Sequence, residues 1–233
     1  MKKSYRRYLP SGKDWLFLTA GVVITLLGVL LVKLIDDAQV AVPYQAGGIT
    51  ASWVPSTVKH WSTPIDEMAK KYNVDPNLIA IVMTMESGGD AKANSGEATG
   101  LMQITPLTAK DISSKFLKTP TTNYDLYNPT TSIEFGTAYI AFLRDQFGTA
   151  AQGPSWVSTV ELIAAGYNGG PGAANSLEQG KGLTDTQTVV YSRDAFNMWR
   201  ERHANDSPTF DRWKERGGQA LLDQAKNTKQ PAS

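Results

Sequence analysis

At Thr63-Pro64, Asp75-Pro76, Thr105-Pro106 and Asn128-Pro129 a side chain able to cap a helix stands directly before a proline. Proline has no N–H and a fixed φ, so it fits the first turn of a helix, where that N–H would find no partner. The Thr, Asp or Asn before it accepts a bond from the next free N–H groups. Each pair therefore predicts a helix start. After Thr63, Ile65, Met68, Ala69 and Tyr72 share one face, and after Asn128 so do Ile133, Gly136, Ile140, Leu143 and Phe147, up to a stop at Gly148. Further helices are predicted over Ser155–Ala165 and Thr186–Ala204, with a last amphipathic piece near Phe210–Ala225 and a polar tail behind it. No period-2 run is long enough for a central sheet, and there is no internal repeat. The expected fold is mainly α, with at most a small β hairpin between Ala91 and Met102.

The second of these helices carries the chemistry. It reads Ile79, Ala80, Ile81, Val82, Met83, Met85 and then Glu86, followed at once by Ser87-Gly88-Gly89. A buried carboxylate is costly unless it is paired, protonated or used. Apolar neighbours and the partial negative charge at a helix C-terminus both favour the neutral acid. A carboxyl group kept protonated near neutral pH is what a general acid needs. The bland alternative is a surface glutamate at a frayed helix end, and this helix alone does not decide between them.

Composition narrows the classes. Lys+Arg 23 against Asp+Glu 22 leaves a formal net charge of +1 and no basic field for nucleic acid. The chain has no cysteine and two histidines, which excludes disulfides, thiolate metal sites and a cysteine nucleophile, and argues against a histidine-rich metal site. Neither a metal nor a cofactor is expected. At the N-terminus five basic residues (Lys2, Lys3, Arg6, Arg7, Lys13) precede eighteen uncharged ones, Trp15 to Val32. As a helix this run spans roughly 27 Å, close to a bilayer core. Lys33 snorkelling from its end would extend the span to Ile35. Ala41 has Gln39 two residues before it, a poor cleavage site, so the segment reads as an uncleaved anchor rather than a signal peptide. The basic flank belongs inside, which puts everything after residue 36 outside the cytoplasmic membrane. Residues 37–57, with Pro43, Gly47, Gly48 and Pro55, read as a tether or loosely packed lead-in.

Four motifs in order then give these parts a family. Glu86-Ser87 is followed by a short polar excursion, Gly100-Leu101-Met102-Gln103-Ile104 and Pro106-Leu107-Thr108-Ala109. Next come Gly166-Tyr167-Asn168-Gly169-Gly170 and, in a late helix, Tyr191. Over residues 60–200 the chain resembles the soluble-lytic-transglycosylase (SLT) family, related in fold to goose-type lysozymes. It departs from the family's usual pattern at Gly166, where alanine is common, at Gln187, where glutamate often stands, and at Val189, where arginine often stands. A glycine at 166 predicts a looser end to the preceding helix, and the other two bear on the polar network around Tyr191.

The resemblance implies a lysozyme-like helical domain over 58–205, between a 36–57 linker and a 206–233 C-terminal helix with polar tail. Before these come a cytoplasmic basic segment, 1–14, and the transmembrane anchor, 15–35. It also implies a reaction, cleavage of the β-1,4 bond between N-acetylmuramic acid and N-acetylglucosamine in peptidoglycan, without water. Glu86 is then the catalytic acid. Ser87, Met102, Gln103, Tyr167, Asn168 and Tyr191 are the implied substrate-binding set, with Met102 and Gln103 lining the cleft and Tyr191 holding the Glu86 rotamer. Trp53, Trp61, Trp156, Trp199 and Trp213 are available for sugar stacking. Glycosidases ordinarily use two carboxylates, but in the motif region only Glu86 convinces; Asp90 and Glu97 lie in the polar excursion and read as solvated. One carboxyl group suffices if the muramic C6 hydroxyl closes onto C1. The alternatives are a lysozyme-like muramidase, with Asp90 or Glu97 steering water, and a non-catalytic glycan-binding component of an envelope-spanning machine. The expected location is the bacterial inner membrane, single pass, with the catalytic domain in the periplasm. By analogy, a secretion or conjugation apparatus is the kind of assembly such a domain serves.

Overall fold

The computed structural model describes residues 42–148 and 157–231. The segment read as a membrane span, 15–35, lies outside them, as does Trp156. Among the described residues no helix is long and apolar enough to cross a membrane. Ten α-helices follow one another there: α1 (Ser56–Lys59), α2 (Ser62–Tyr72), α3 (Pro76–Ser87), α4 (Pro106–Asp111), α5 (Pro129–Phe147), α6 (Thr159–Gly169), α7 (Pro171–Glu178), α8 (Thr186–Arg200), α9 (Pro208–Trp213) and α10 (Gln219–Asn227). Helix α4 runs on through a π turn, Ile112–Phe116, and a second π turn, Lys214–Gly218, joins α9 to α10. The described residues contain no strand. Within the stretch that allowed at most a small hairpin, Thr99 makes isolated antiparallel bridges to Asn94 and to Ile104.

Three of the four cap-and-proline pairs act as read. Asp75 accepts from Asn77 N at 2.8 Å, Thr105 from Thr108 N at 3.2 Å and Asn128 from Thr131 N at 3.1 Å. Thr63 does not cap. Helix α2 begins at Ser62, because the fully buried Trp61 already accepts the Ile65 N–H at 3.0 Å. Pro64 still lies in the first turn, where its missing N–H removes no helical bond. Helix α6 starts and ends four residues later than expected; Ser158 caps it by accepting from Glu161 N. Gly166 therefore lies inside it rather than loosening its end. A Cβ there would approach Leu143 Cδ2 to 2.7 Å, so glycine is what lets α6 lie this close to α5.

Helix α3 is the axis of the fold. Every residue from Pro76 to Met85 is buried, against α1, α2, α5, α8 and α10. A helix apolar on all sides has to be wrapped, and each buried Leu, Ile, Val or Met contributes about 1.5–3 kcal/mol. The lead-in is firmly attached from Val42 onward. Val42 O accepts from Asp75 N, Asn77 Oδ1 accepts from Thr50 N and Ala51 N, and Trp53 donates to Glu201 O. The packed unit thus begins at Val42, because these short polar bonds close the N-terminal end of α3. The C-terminal stretch is packed too. It forms two helices, kinked at Gly217 (φ 115°), with Leu222 and Ala225 buried.

Candidate active site

The end of α3 sets Glu86 where the apolar axis meets an opening. The helix stops there because Gly88 takes a left-handed cap (φ 63°) and Gly89 follows at φ 91°. From α8, the Tyr191 hydroxyl donates to Glu86 Oε1 at 2.6 Å. Among the described residues this is the one hydrogen bond to the Glu86 side chain. Glu86 is the one residue of α3 that is not buried, so its side chain reaches solvent in part. Burial raises the Glu86 carboxyl from its ordinary 4.5 to about 7, and the Tyr191 hydroxyl offsets part of that rise. Tyr191 and Tyr167 are both held well above the usual phenol range, first by burial and then by the nearby Glu86 charge.

Tyr167 comes from the last turn of α6. Its hydroxyl donates to Met102 O at 2.8 Å, and its ring lies 5.5 Å from that of Tyr139, a residue the sequence did not single out. Tyr139 donates in turn to Gly166 O at 3.4 Å. The structure therefore brings together Glu86, Tyr191 and Tyr167, and it fastens the Met102 backbone to the same cluster. The departures at Gln187 and Val189 leave the Tyr191–Glu86 bond intact.

Asn168, next along α6, is oriented by two residues that sequence reading missed. The Thr188 hydroxyl lies 2.7 Å from Asp185 Oδ2 and 3.0 Å from Asn168 Oδ1. It has one proton, which goes to the charged carboxylate. The Asn168 amide then turns its NH₂ to the Thr188 oxygen and presents its carbonyl outward, an assignment made from the network. Asp185 also caps α8 by accepting from Thr188 N; the Thr188 hydroxyl first, and then this N–H, hold its carboxyl below the usual range. The signal was available: an aspartate directly before Thr186, where a helix is expected to start. Asn168, Gln187 and Lys181 share a cleft of about 540 Å³ with the turn before α8.

Three members of the expected set do something else. The Met102 side chain is wholly buried against Gly136, where a Cβ would approach it to 2.6 Å, so it fills core rather than lining a cleft. Ser87 is buried, donating to Leu101 O at 2.8 Å and accepting from Gly89 N at 3.1 Å; it ties the two motifs together and has no proton free for a ligand. Gln103, at φ 44°, donates its amide N–H groups to Ala93 O and Gly100 O and so pins the polar excursion, leaving its carbonyl oxygen free of these bonds. The described tryptophans are committed to packing. Trp61 donates to Gly89 O, Trp199 to Asp75 Oδ2 under the Arg202 guanidinium, and Trp53 and Trp213 flank Phe210. Asp90, expected in solvent, is 1% exposed, whereas Glu97 is exposed as expected.

Known proteins carry the same stretch. Membrane-bound lytic murein transglycosylase C of Actinobacillus pleuropneumoniae is 36% identical over 136 residues, 57% of this chain and 36% of that protein. Membrane-bound lytic murein transglycosylase E of Buchnera aphidicola is 38% identical over 99 residues, 40% of this chain and 44% of that protein. The chain thus spans less than half the length of these curated relatives. An X-ray structure of an inactive mutant of the lytic transglycosylase Slt from Pseudomonas aeruginosa aligns over 69% of this chain and 24% of its own. It does so at 26% identity and a TM-score of 0.43. The sequence profile of the Transglycosylase SLT domain matches residues 63–190, which hold Glu86, Gln103, Tyr167 and Asn168 and stop one residue short of Tyr191. This chain belongs to the Transglycosylase SLT domain family.

Proposed function

We propose that the chain is a lytic transglycosylase that cuts the β-1,4 bond between N-acetylmuramic acid and N-acetylglucosamine in peptidoglycan strands, with Glu86 as its only catalytic carboxyl group. The observation that carries this reading is a solvent-reaching carboxyl at the end of a buried helix, poised near pH 7 and held by Tyr191 at 2.6 Å. The relatives' names support murein as the substrate.

With Oε1 engaged by Tyr191, Oε2 carries the acid proton and gives it to the bridging oxygen as that bond breaks. The substrate's own acetamido group stabilises the positive charge growing at C1. The Asn168 carbonyl, presented outward by the Asp185–Thr188 pair, is an acceptor suited to that group's N–H. The Glu86 carboxylate then takes the proton of the muramic C6 hydroxyl as its oxygen closes onto C1. One proton leaves Glu86 and one returns, no water is consumed, and the product is a 1,6-anhydro end. Hydrolysis ordinarily uses a second carboxylate beside a water. Asp90 has both oxygens occupied by hydrogen-bond donors and Glu97 points from an exposed loop, which favours the anhydro route. A pure glycan-binding role leaves the raised carboxyl without a use.

The same proposal includes the surroundings. Residues 1–14 are cytoplasmic, 15–35 anchor the chain by a single pass, and the SLT unit works in the periplasm. The relatives' description as membrane-bound supports attachment, and a wall-crossing secretion or conjugation machine is the analogous partner. The test is the mass of muropeptides released from purified sacculi. An anhydro end is lighter than a reducing end by one water. Anhydro products from the first turnovers, together with at least a roughly 10²–10⁴-fold loss in Glu86→Gln, are expected. Predominantly reducing ends, or an active Glu86→Gln, overturn the reading.

A further inference from the structure

Beyond the family-matched stretch, which ends at residue 190, the C-terminal segment returns to the turn that ends α3. Backbone meets backbone there: a Cβ on Gly88 would lie 2.9 Å from Leu221 C and O and 3.1 Å from Leu222 N. Just beyond, the buried Asp90 collects donors from the same segment. Its Oδ2 accepts from Gln224 Nε2 at 3.2 Å and Thr228 Oγ1 at 3.1 Å. Its Oδ1 accepts from Gln230 Nε2 at 3.4 Å and from Lys92 N at 2.9 Å. Gln230 Oε1 completes the loop by accepting Ala91 N at 3.0 Å. No described cation pairs with Asp90, so neutral donors from one segment hold its charge. On the other side α1 and the residue before α2 grip the same turn: Thr57 donates to Gly88 O at 2.6 Å and Trp61 to Gly89 O at 2.9 Å.

We propose that the segment from Gln219 to Gln230 is a latch on the active site, with Asp90 the positioning residue through which it fixes the α3 turn and so holds Glu86 in register with Tyr191. The inference rests on the reading of Glu86 as the acid. Three residues separate Glu86 from Asp90, and the turn they form is held at Gly88 and Gly89 from one side and at Gly88 and Asp90 from the other. A turn released on one side lets the last turn of α3 shift and more water reach Glu86. Displacements on the order of 1 Å at a reacting group cost about 10²-fold in rate. Hydration also returns a buried carboxyl toward its ordinary pKa. The titratable groups that face Glu86 are Tyr191 and Tyr167, both neutral in this range, so a change in the limb reports on Glu86.

Asp90→Ala leaves the latch donors without an acceptor. It is expected to lower kcat by about 10–100-fold with little change in KM, and to move the basic limb of the pH profile to lower pH. Asp90→Asn keeps an acceptor carbonyl, and the Gln224 and Gln230 amides can turn to meet its NH₂, so activity and limb should be restored. That rescue separates a latch from a catalytic base, because asparagine takes no proton. Should Asp90→Ala fail to fold, Thr228→Val with Gln230→Ala loosens the latch from the chain end while leaving the core untouched, and the same shift is expected. An NMR titration of the Glu86 carboxyl in each variant reads the shift without turnover, so this inference fails or stands separately from the glycosidase reading. A lowered Tm with kcat, limb and titration unchanged makes the contact purely structural and overturns the proposal, as does loss of activity in Asp90→Asn equal to that in Asp90→Ala.

Discussion

Glu86 is pulled in two directions. Burial favours the neutral acid, and the Tyr191 hydroxyl, donating at 2.6 Å, favours the carboxylate; the balance is about 7. Removing the donor tips that balance upward. Tyr191→Phe should move the basic limb of kcat/KM to higher pH, since the acid stays protonated longer, while kcat falls because the side chain loses its anchor. A limb that stays put or moves down shows that Tyr191 does not touch the acid in solution. The linkage to stability has the opposite sign from an ordinary paired carboxylate. The folded value lies above the unfolded 4.5, so the stability present below about pH 4.5 is lost as pH rises through about 7. Sequence exposed this residue because a carboxylate after an apolar run demands an explanation, and Tyr191 because it stands where the family places a tyrosine. The Met102 and Ser87 side chains and the Gln103 amide N–H groups are taken up by local contacts, to Gly136, Leu101 O and Gly100 O, that only the folded loop reveals.

Among the elements, the α3–α1 corner depends most on glycine. At Gly89 φ is 91°, and a Cβ would come within 2.6 Å of Thr57 O and 2.9 Å of Val58 N, backbone atoms that cannot rotate away. Gly89→Ala therefore combines left-handed strain with a backbone clash, and should cost about 2–4 kcal/mol in urea unfolding. Gly172 in α7 has nothing within 4 Å of a Cβ and no positive φ, so Gly172→Ala should be neutral or stabilise by up to about 1 kcal/mol. If both behave alike, the corner is looser than described. Helix starts were the most legible feature of the sequence. Even so, Ser207-Pro208 repeats the same device, Ser207 accepting from Phe210 N at 3.0 Å, and was passed over in favour of a start at Phe210. Helix α7 was missed because its Gly170-Pro171-Gly172 opening reads as a turn. The C-terminal helices looked peripheral because their partners, Gly88 and Asp90, lie more than a hundred residues away, a separation no periodicity encodes.

At the scale of the whole molecule, every described helix belongs to one unit that starts at Val42, and its axis helix is wrapped from within that unit. Among the described residues the core closes on itself. A chain beginning at Val42 should therefore keep the Tm and the sacculus-cleaving kcat of the full chain, and lose only the membrane attachment proposed for residues 15–35. That attachment is argued from sequence: five basic residues, then eighteen uncharged ones, with no small residue two positions before Ala41. An anchor of this kind resists alkaline carbonate washing and is released by detergent, whereas a peripheral contact made by the folded unit yields to salt. The protein recovered from washed membranes should give its N-terminal sequence from Met1 or Lys2. A protease added to spheroplasts should reach the SLT unit and spare the first 14 residues. A mature N-terminus between residues 36 and 45 makes the segment a cleaved signal, and the unit then relies on some other attachment to stay at the membrane.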